Sequence, residues 1–257
     1  MRKIFLTLLA CTLVCGLSFG AQKSKIRIFV AGDSTAQTYS EENSIQRGWG
    51  QRLQLFFDEN KVEVVNRSIG ARSSGTFISE GRWDGIMRDI QPGDFVIVQF
   101  GHNDTSPNMA RYVAPDAYKA NFAKFANDAR AKGATPIFCT SIAMRTWKNG
   151  ELVVERPHFA EYIQYVRDVA AELNVILIDM HKETLDLIRS LGDEGSKELY
   201  YHVKAGEHPS VQADKQDDTH LREKGAMAYA KIIADNIRSQ KIKPLNKCLK
   251  KVKRAKK

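Results

Sequence analysis

Ile26-Arg27-Ile28-Phe29-Val30-Ala31-Gly32-Asp33-Ser34-Thr35-Ala36-Gln37 is the stretch that decides how this chain is read. Ile26, Ile28 and Val30 alternate with Arg27 and Phe29, and β-branched residues suit a pleated strand. Gly32 permits the tight turn that ends the strand. Ser34 comes just beyond it, and ligands bind at the C-terminal ends of strands in open α/β sheets. By itself, Asp33-Ser34 reads first as a helix cap without chemistry. The segments that join it downstream reverse that weighting and make Ser34 a candidate nucleophile.

Working outward, strands and helices alternate to the end of the chain. A helix is expected over 48–58 with Trp49, Leu53, Phe56 and Phe57 inward, then a second strand over 62–65 and a Gly/Ser-rich loop over 68–75. A short helix follows over 82–90. The third strand, 95–100, is almost wholly apolar, which implies burial on both faces, as in a parallel sheet. A helix over 114–132 carries Pro115 in its first turn and stops at Gly133. Strand four is placed at 135–140, a polar loop at 144–157, a helix at 158–173, strand five at 175–178, and a helix running to about 191. The stretch 192–216 reads as a long polar loop of the kind that carries function, and 221–237 as the final helix. Five strands with intervening helices predict an α/β fold, a flavodoxin-like three-layer α/β/α sandwich on a five-stranded parallel sheet, with no second domain.

The ends of the chain bound its setting. Arg2 and Lys3 precede an apolar run from Ile4 to Phe19, and Ser18-Phe19-Gly20 supplies small residues for cleavage. Residues 1–20 therefore read as a signal peptide rather than a membrane span, placing the protein outside the cytoplasm, secreted or periplasmic. A lipoprotein box at Leu8-Leu9-Ala10-Cys11 is the weaker alternative. The domain is assigned to 21–240. The net charge of +9 arises largely in 241–257, where nine Lys and Arg stand without an acid. The domain itself is close to neutral, which speaks against a general anion-binding surface and against nucleic acid as its partner. The basic tail reads as a solvated, disordered end. Past the leader only Cys139 and Cys248 remain, read as one buried thiol and one exposed thiol rather than a disulfide framework. No Cys/His spacing of the metal-binding type occurs, and no metal or cofactor is expected.

Each strand-to-helix loop offers one polar element. The first gives Ser34, and the second gives Gly70, whose missing side chain lets a backbone N–H face a ligand. The third gives Asn103, and the segment before the last helix gives Asp217-Asp218-Thr219-His220. Ester cleavage needs these parts. A serine hydroxyl requires a base within hydrogen-bond reach, and His220 titrates in the right range. An imidazole that gains a proton needs an anion behind it, which Asp217 supplies by folding back three residues. The N–H groups of Ser34 and Gly70 and the Asn103 amide would stabilise the tetrahedral oxyanion.

Gly32-Asp33-Ser34, Gly70, Gly101-His102-Asn103-Asp104 and Asp217-Asp218-Thr219-His220 resemble, in order and spacing, the four blocks of the SGNH (GDSL-type) hydrolases. Within that superfamily, Gly-Asp-Ser-Thr-Ala-Gln, Asn66-Arg67-Ser68-Ile69-Gly70 with Arg72-Ser73-Ser74, Gly81-Arg82-Trp83 and Asp-Asp-Thr-His look most like rhamnogalacturonan acetylesterases. The resemblance implies Ser34 as nucleophile, His220 as base, Asp217 as its orienting acid, and Ser34, Gly70 and Asn103 as the oxyanion hole. It favours Asp217 over the adjacent Asp218. It also implies a secreted serine esterase that removes O-acetyl groups from plant cell-wall polysaccharide through an acetyl-Ser34 intermediate, with an acetylated polysaccharide or oligosaccharide as its partner.

The remaining polar residues carry two readings each. Asp33 and Asp104 are expected to brace their turns. His102 is a packing histidine or a substrate contact, Trp83 is core or groove, and Arg145 and Trp147 are candidates for the rim of a sugar groove. His202 and His208 read as surface histidines, with a metal site alongside Asp217 and His220 as the alternative. Two other functions compete: a lipid esterase or thioesterase of the same superfamily, and a carbohydrate-binding protein with a dead site. The polar rim segments argue for a short acyl group on a hydrophilic alcohol, and the intact Ser, Gly, Asn and Asp-x-x-His set argues against a dead site.

Overall fold

The computed structural model describes residues 25–153 and 156–251; the proposed signal peptide lies outside them. The first strand, β1 (Ile26–Gly32), takes the central position its composition suggests. It pairs in parallel with β2 (Val62–Asn66) on one side and with β3 (Phe95–Gln99) on the other. Strands β4 (Thr135–Cys139) and β7 (Ile176–Ile178) complete a parallel sheet in the order β2-β1-β3-β4-β7. Two short strands, β5 (Trp147–Lys148) and β6 (Glu151–Leu152), form a hairpin inside the expected polar loop. Every residue of β3 is buried, as its unbroken apolar run requires at the middle of a covered parallel sheet.

The period-two alternation of β1 divides its side chains between two cores. Ile28 and Val30 pack with Trp49, Ile188 and Ile233 on one face, and Phe29 and Ala31 pack with Phe77, Phe122 and Val166 on the other. Helices α1 (Trp49–Arg52), α6 (Met180–Ser196) and α7 (Glu223–Ser239) cover the first face. Helices α2 (Ser74–Ser79), α3 (Arg82–Asp89), α4 (Pro115–Ala131) and α5 (Phe159–Glu172) cover the second. This is the expected three-layer α/β/α sandwich. The chain leaves β1 for β2 and returns past it to β3, so the crevice beyond the C-terminal ends of β1 and β3 is a topological switch point.

Three local expectations differ from the structure. The loop 68–75 gives way at Ser74 to α2, because Ser73 caps it: Ser73 Oγ accepts from the Thr76 N–H while Thr76 Oγ1 accepts from the Ser73 N–H. The long loop 192–216 is partly structured. Gly192, at φ 70°, breaks α6 without ending it, and Tyr200–Val203 (β8) pairs antiparallel with Lys215–Leu221 (β9). The Asp217-Asp218-Thr219-His220 segment is therefore held on a strand rather than in a free loop.

The tail is also corrected over its described part. Ile242, Leu245 and Cys248 are buried. The Asp58 N–H donates to the Cys248 carbonyl (2.9 Å) and the Lys250 N–H to the Phe56 carbonyl (2.8 Å). Apolar residues spaced by three form an inward stripe among lysines that stay outside, so the charge count concealed a docking segment. Cys248 is accordingly buried rather than exposed, and both it and Cys139 are free thiols. Truncating the fully buried Leu245 to alanine is expected to cost about 3 kcal/mol of stability, measured from urea unfolding; an unchanged midpoint would mean that the segment does not dock.

Candidate active site

The turn after β1 presents Ser34. Asp33 Oδ1 accepts from the Thr35 N–H (2.9 Å) and the Thr35 hydroxyl (2.8 Å), and the Ala36 and Gln37 N–H groups donate to the Asp33 carbonyl. Asp33 thus braces its turn as expected. Gln99, buried at the end of β3, accepts from the Trp49 indole and donates to Thr35 Oγ1 (3.3 Å), fixing the turn to the sheet and to α1. Tyr39 adds a bond from its hydroxyl to the Ser34 carbonyl (2.8 Å).

Strand β9 brings the histidine to this turn from 186 residues away. His220 Nε2 lies 2.9 Å from Ser34 Oγ, and His220 Nδ1 lies 2.7 Å from Asp217 Oδ2. The other Asp217 oxygen accepts from the Thr219 and His220 N–H groups, both at 2.9 Å, so the carboxylate is fixed before any substrate arrives. Burial pushes the Asp217 carboxyl up, but the bond and charge of His220 and the two N–H donors outweigh it and hold the group at about 2. Burial likewise pushes the His220 imidazole down, while Asp217, with a smaller contribution from Asp33, raises it above the ordinary 6.5. A neutral His220 with Nδ1–H on Asp217 leaves Nε2 as the acceptor for the serine proton.

Asp218 turns elsewhere, as successive residues on a strand do. Its carboxylate meets Arg145 (2.9 Å) and His202 Nε2 (2.7 Å). Arg145 is therefore corrected from groove residue to internal brace: it is buried, bonds Asp193 as well, and donates its N–H to the Asp218 carbonyl. Trp83 is corrected too. It is fully buried, packs edge-on against Phe125 with centroids 4.6 Å apart, and donates to Asp128. His102 is a packing residue, its ring buried between Phe159 and Asp33. His208 bonds Ser210; among the described residues no three His, Cys, Asp or Glu side chains converge as a metal site.

Of the expected oxyanion donors, Gly70 lies beside Ser34. A Cβ added to Gly70 would lie 3.5 Å from Ser34 Cβ, so the glycine backbone passes close beside the nucleophile. The Gly70 N–H, expected to be open, donates to Gln37 Oε1. Gly101, at φ 151° and with no room for a Cβ against Ser141 Oγ, makes the turn between β3 and Asn103. Asn103 gives one amide hydrogen to the Arg72 carbonyl (3.1 Å), its second has no acceptor among the described residues, and its Oδ1 faces Arg111. Asp104 braces the neighbouring segment rather than its own turn: its Oδ1 accepts from the Ser74 N–H and hydroxyl. Complete burial lifts its carboxyl to about 7.

A strand-end serine, a histidine on its hydroxyl and an aspartate behind the histidine form the chain of hydrogen bonds that activates a nucleophile for acyl transfer. The model of the GDSL-like Lipase/Acylhydrolase family matches residues 30–228, which hold Ser34, Gly70, Asn103, Asp217 and His220. The chain belongs to this family. The GDSL-like chain is 36% identical over 216 residues to the rhamnogalacturonan acetylesterase RhgT of Bacillus subtilis, spanning 84% of this chain and 90% of that one. It also superposes on a solved Bacillus subtilis structure, the protein YxiM, with a TM-score of 0.73 and 27% identity; 86% of this chain covers 58% of that longer one. A Geobacillus acetyl-xylooligosaccharide esterase shares the fold at a TM-score of 0.61 and 18% identity, over 83% of this chain and 94% of that one. The protein is a carboxylic ester hydrolase of the GDSL-like family.

Residue type alone hid four neighbours of the site. Gln37 lies one turn beyond Ser34 in Gly-Asp-Ser-Thr-Ala-Gln, a spacing of three that returns a side chain to the same side. Tyr39, Arg111 and Arg156 sit in loops with no periodicity, and only the folded chain brings them in.

Proposed function

We propose that this esterase removes O-acetyl groups from a plant cell-wall polysaccharide, rhamnogalacturonan in pectin, outside the cytoplasm. Ser34 Oγ attacks the acetyl carbonyl carbon while its proton passes to His220 Nε2. Asp217 stabilises the imidazolium, and the N–H groups of Ser34 and Gly70 and the Asn103 amide receive the oxyanion. Collapse breaks the bond to the sugar oxygen, which takes the proton from His220, and leaves acetyl-Ser34. Water, deprotonated by His220, then attacks the acyl carbon; acetate departs and Ser34 regains its proton.

The Ser34–His220–Asp217 geometry carries the acyl-transfer part of this reading. The likeness to RhgT supports the acetylated pectin substrate, and so does the rim. Three arginines bond the loops that hold the oxyanion donors: Arg72 the Gly70 carbonyl (3.1 Å), Arg111 Asn103 Oδ1 (3.5 Å) and Arg156 the His102 carbonyl (2.5 Å). Arg72 also pairs with Glu80, whereas Arg111 bonds Asn103 and Arg156 bonds the His102 carbonyl, Thr105 and Met144. Guanidinium groups on the loops that carry Gly70 and Asn103 suit the uronate carboxylates of an acidic polymer better than neutral xylan or a long acyl chain.

Acetate release from acetylated rhamnogalacturonan, acetylated xylan and simple sugar acetates tests the assignment. The acidic polymer is expected to give the highest kcat/KM, and its KM is expected to rise severalfold as salt increases from about 0.05 to 0.5 M. p-Nitrophenyl acetate, which is uncharged, serves as the salt-insensitive control. Equal turnover of acetylated xylan without salt dependence would contradict the pectin assignment, and a preference for octanoyl over acetyl esters would favour a lipid esterase.

A further inference from the structure

The Gly70 donor is already engaged in the absence of substrate. Gln37 and Ser34 ride on one turn, since the Gln37 N–H donates to the Asp33 carbonyl (3.1 Å). From that turn the Gln37 side chain reaches the opposite loop and accepts from the Gly70 N–H through Oε1. Its placement is specific. A Cβ built on Gly70 would lie 2.6 Å from Gln37 Oε1 and 3.5 Å from Ser34 Cβ, so the amide oxygen and the nucleophile both lie close against this glycine. Gln37 is half-buried, so part of it meets solvent. A carbonyl oxygen accepting from Gly70 beside Ser34 is also what an attacked acetyl group would present.

We propose that Gln37 is an internal occupant of the oxyanion hole, whose amide oxygen holds the Gly70 donor in the free enzyme and must be displaced by the acyl oxygen of the substrate. This rests on the reading of Gly70 as an oxyanion donor. The bond has two consequences. It keeps the Gly70 N–H satisfied, and so keeps the 68–72 loop shaped before substrate binds. It also sets a neutral acceptor in competition with the substrate. A developing oxyanion makes a charge-assisted bond about twice as strong as a neutral one, so the transition state displaces Gln37 more readily than the ground-state ester does. Displacing Gln37 is a cost relative to the free enzyme, and it therefore enters kcat/KM.

Two measurements test the proposal separately from the esterase assignment. The first needs no substrate. In amide NMR spectra of the free protein, Gln37→Met is expected to shift the Gly70 N–H resonance upfield, as loss of an acceptor requires. Titrating the unmutated protein with phenylboronic acid, which forms a tetrahedral adduct on a reactive serine, is expected to move the Gln37 side-chain NH2 signals together with the Gly70 N–H. A Gly70 resonance indifferent to Gln37→Met, or Gln37 signals indifferent to the boronate while Ser34 is modified, would overturn the proposal. The second is kinetic. Removing the competitor in Gln37→Met is expected to raise kcat/KM for p-nitrophenyl acetate roughly threefold to tenfold. Gln37→Glu, whose carboxylate grips the same N–H more strongly, is expected to lower it by about tenfold or more. A fall in Gln37→Met would make Gln37 a support of the active conformation and not a competitor. Loss of all Ser34-dependent turnover in the unmutated protein would strike the esterase assignment, leaving the NMR result to decide the occupancy.

Discussion

Ser34→Ala is expected to lower kcat for acetyl esters by roughly 10⁴- to 10⁶-fold while leaving the fold intact. The size follows from the role: the hydroxyl is the atom that forms the new bond, and no neighbouring group stands in its place. The structural effect is small because Ser34 is half-buried and, among the described residues, its Oγ hydrogen-bonds only His220. Its turn is held by Asp33, Thr35 and Tyr39 through bonds that the substitution does not touch. Acetate release and urea unfolding measured on the same preparation check both halves. A folded variant retaining more than about one per cent of the turnover would remove Ser34 from the reaction.

Asp217→Asn is expected to lower kcat by about 10³- to 10⁴-fold, because an amide no longer fixes the productive tautomer or stabilises the imidazolium. The same substitution carries a pH signature. His220 must be neutral to take the serine proton, so activity falls as pH drops through its pKa. Asp217 raises that pKa above 6.5, which places the acid limb of kcat/KM above 6.5; removing the carboxylate is expected to move the limb to lower pH. Asp218→Asn tests the assignment between the two adjacent acids. Asp218 faces Arg145 and His202, so its loss is expected to leave the limb where it is. A limb that moves with Asp218 and not with Asp217 would reverse their roles.

The sheet was legible because its strands are short apolar runs with clear ends. β1 stops where Gly32 turns, and β3 is buried at every residue. The site was legible because its chemistry needs particular residue types at strand ends, and Ser34, Asp217 and His220 meet as their types demand. What escaped did so for physical reasons. Lys215–Leu221 has no apolar alternation; it becomes a strand by pairing with Tyr200–Val203, a tertiary effect invisible to local pattern. Arg145 and Trp83 are types found at sugar-binding surfaces, yet here one is sealed among Asp193, Asp218 and Ser196 and the other in the second core. Ile242, Leu245 and Cys248 were masked by the lysines between them. Gln37 carries no charge, and its spacing of three from Ser34 gave its side but not its partner; the bond across to Gly70 reveals it.

The covalent intermediate offers the most direct measurement. With p-nitrophenyl acetate the leaving group departs readily, so acylation outruns deacylation and the acyl-enzyme accumulates. Acid quench during the burst, followed by peptide mass spectrometry, is expected to find a gain of about 42 Da on the peptide holding Ser34, absent when His220 is replaced by alanine. A burst of p-nitrophenol with Ser34 unmodified, or with the acetyl group on another residue, would contradict the account.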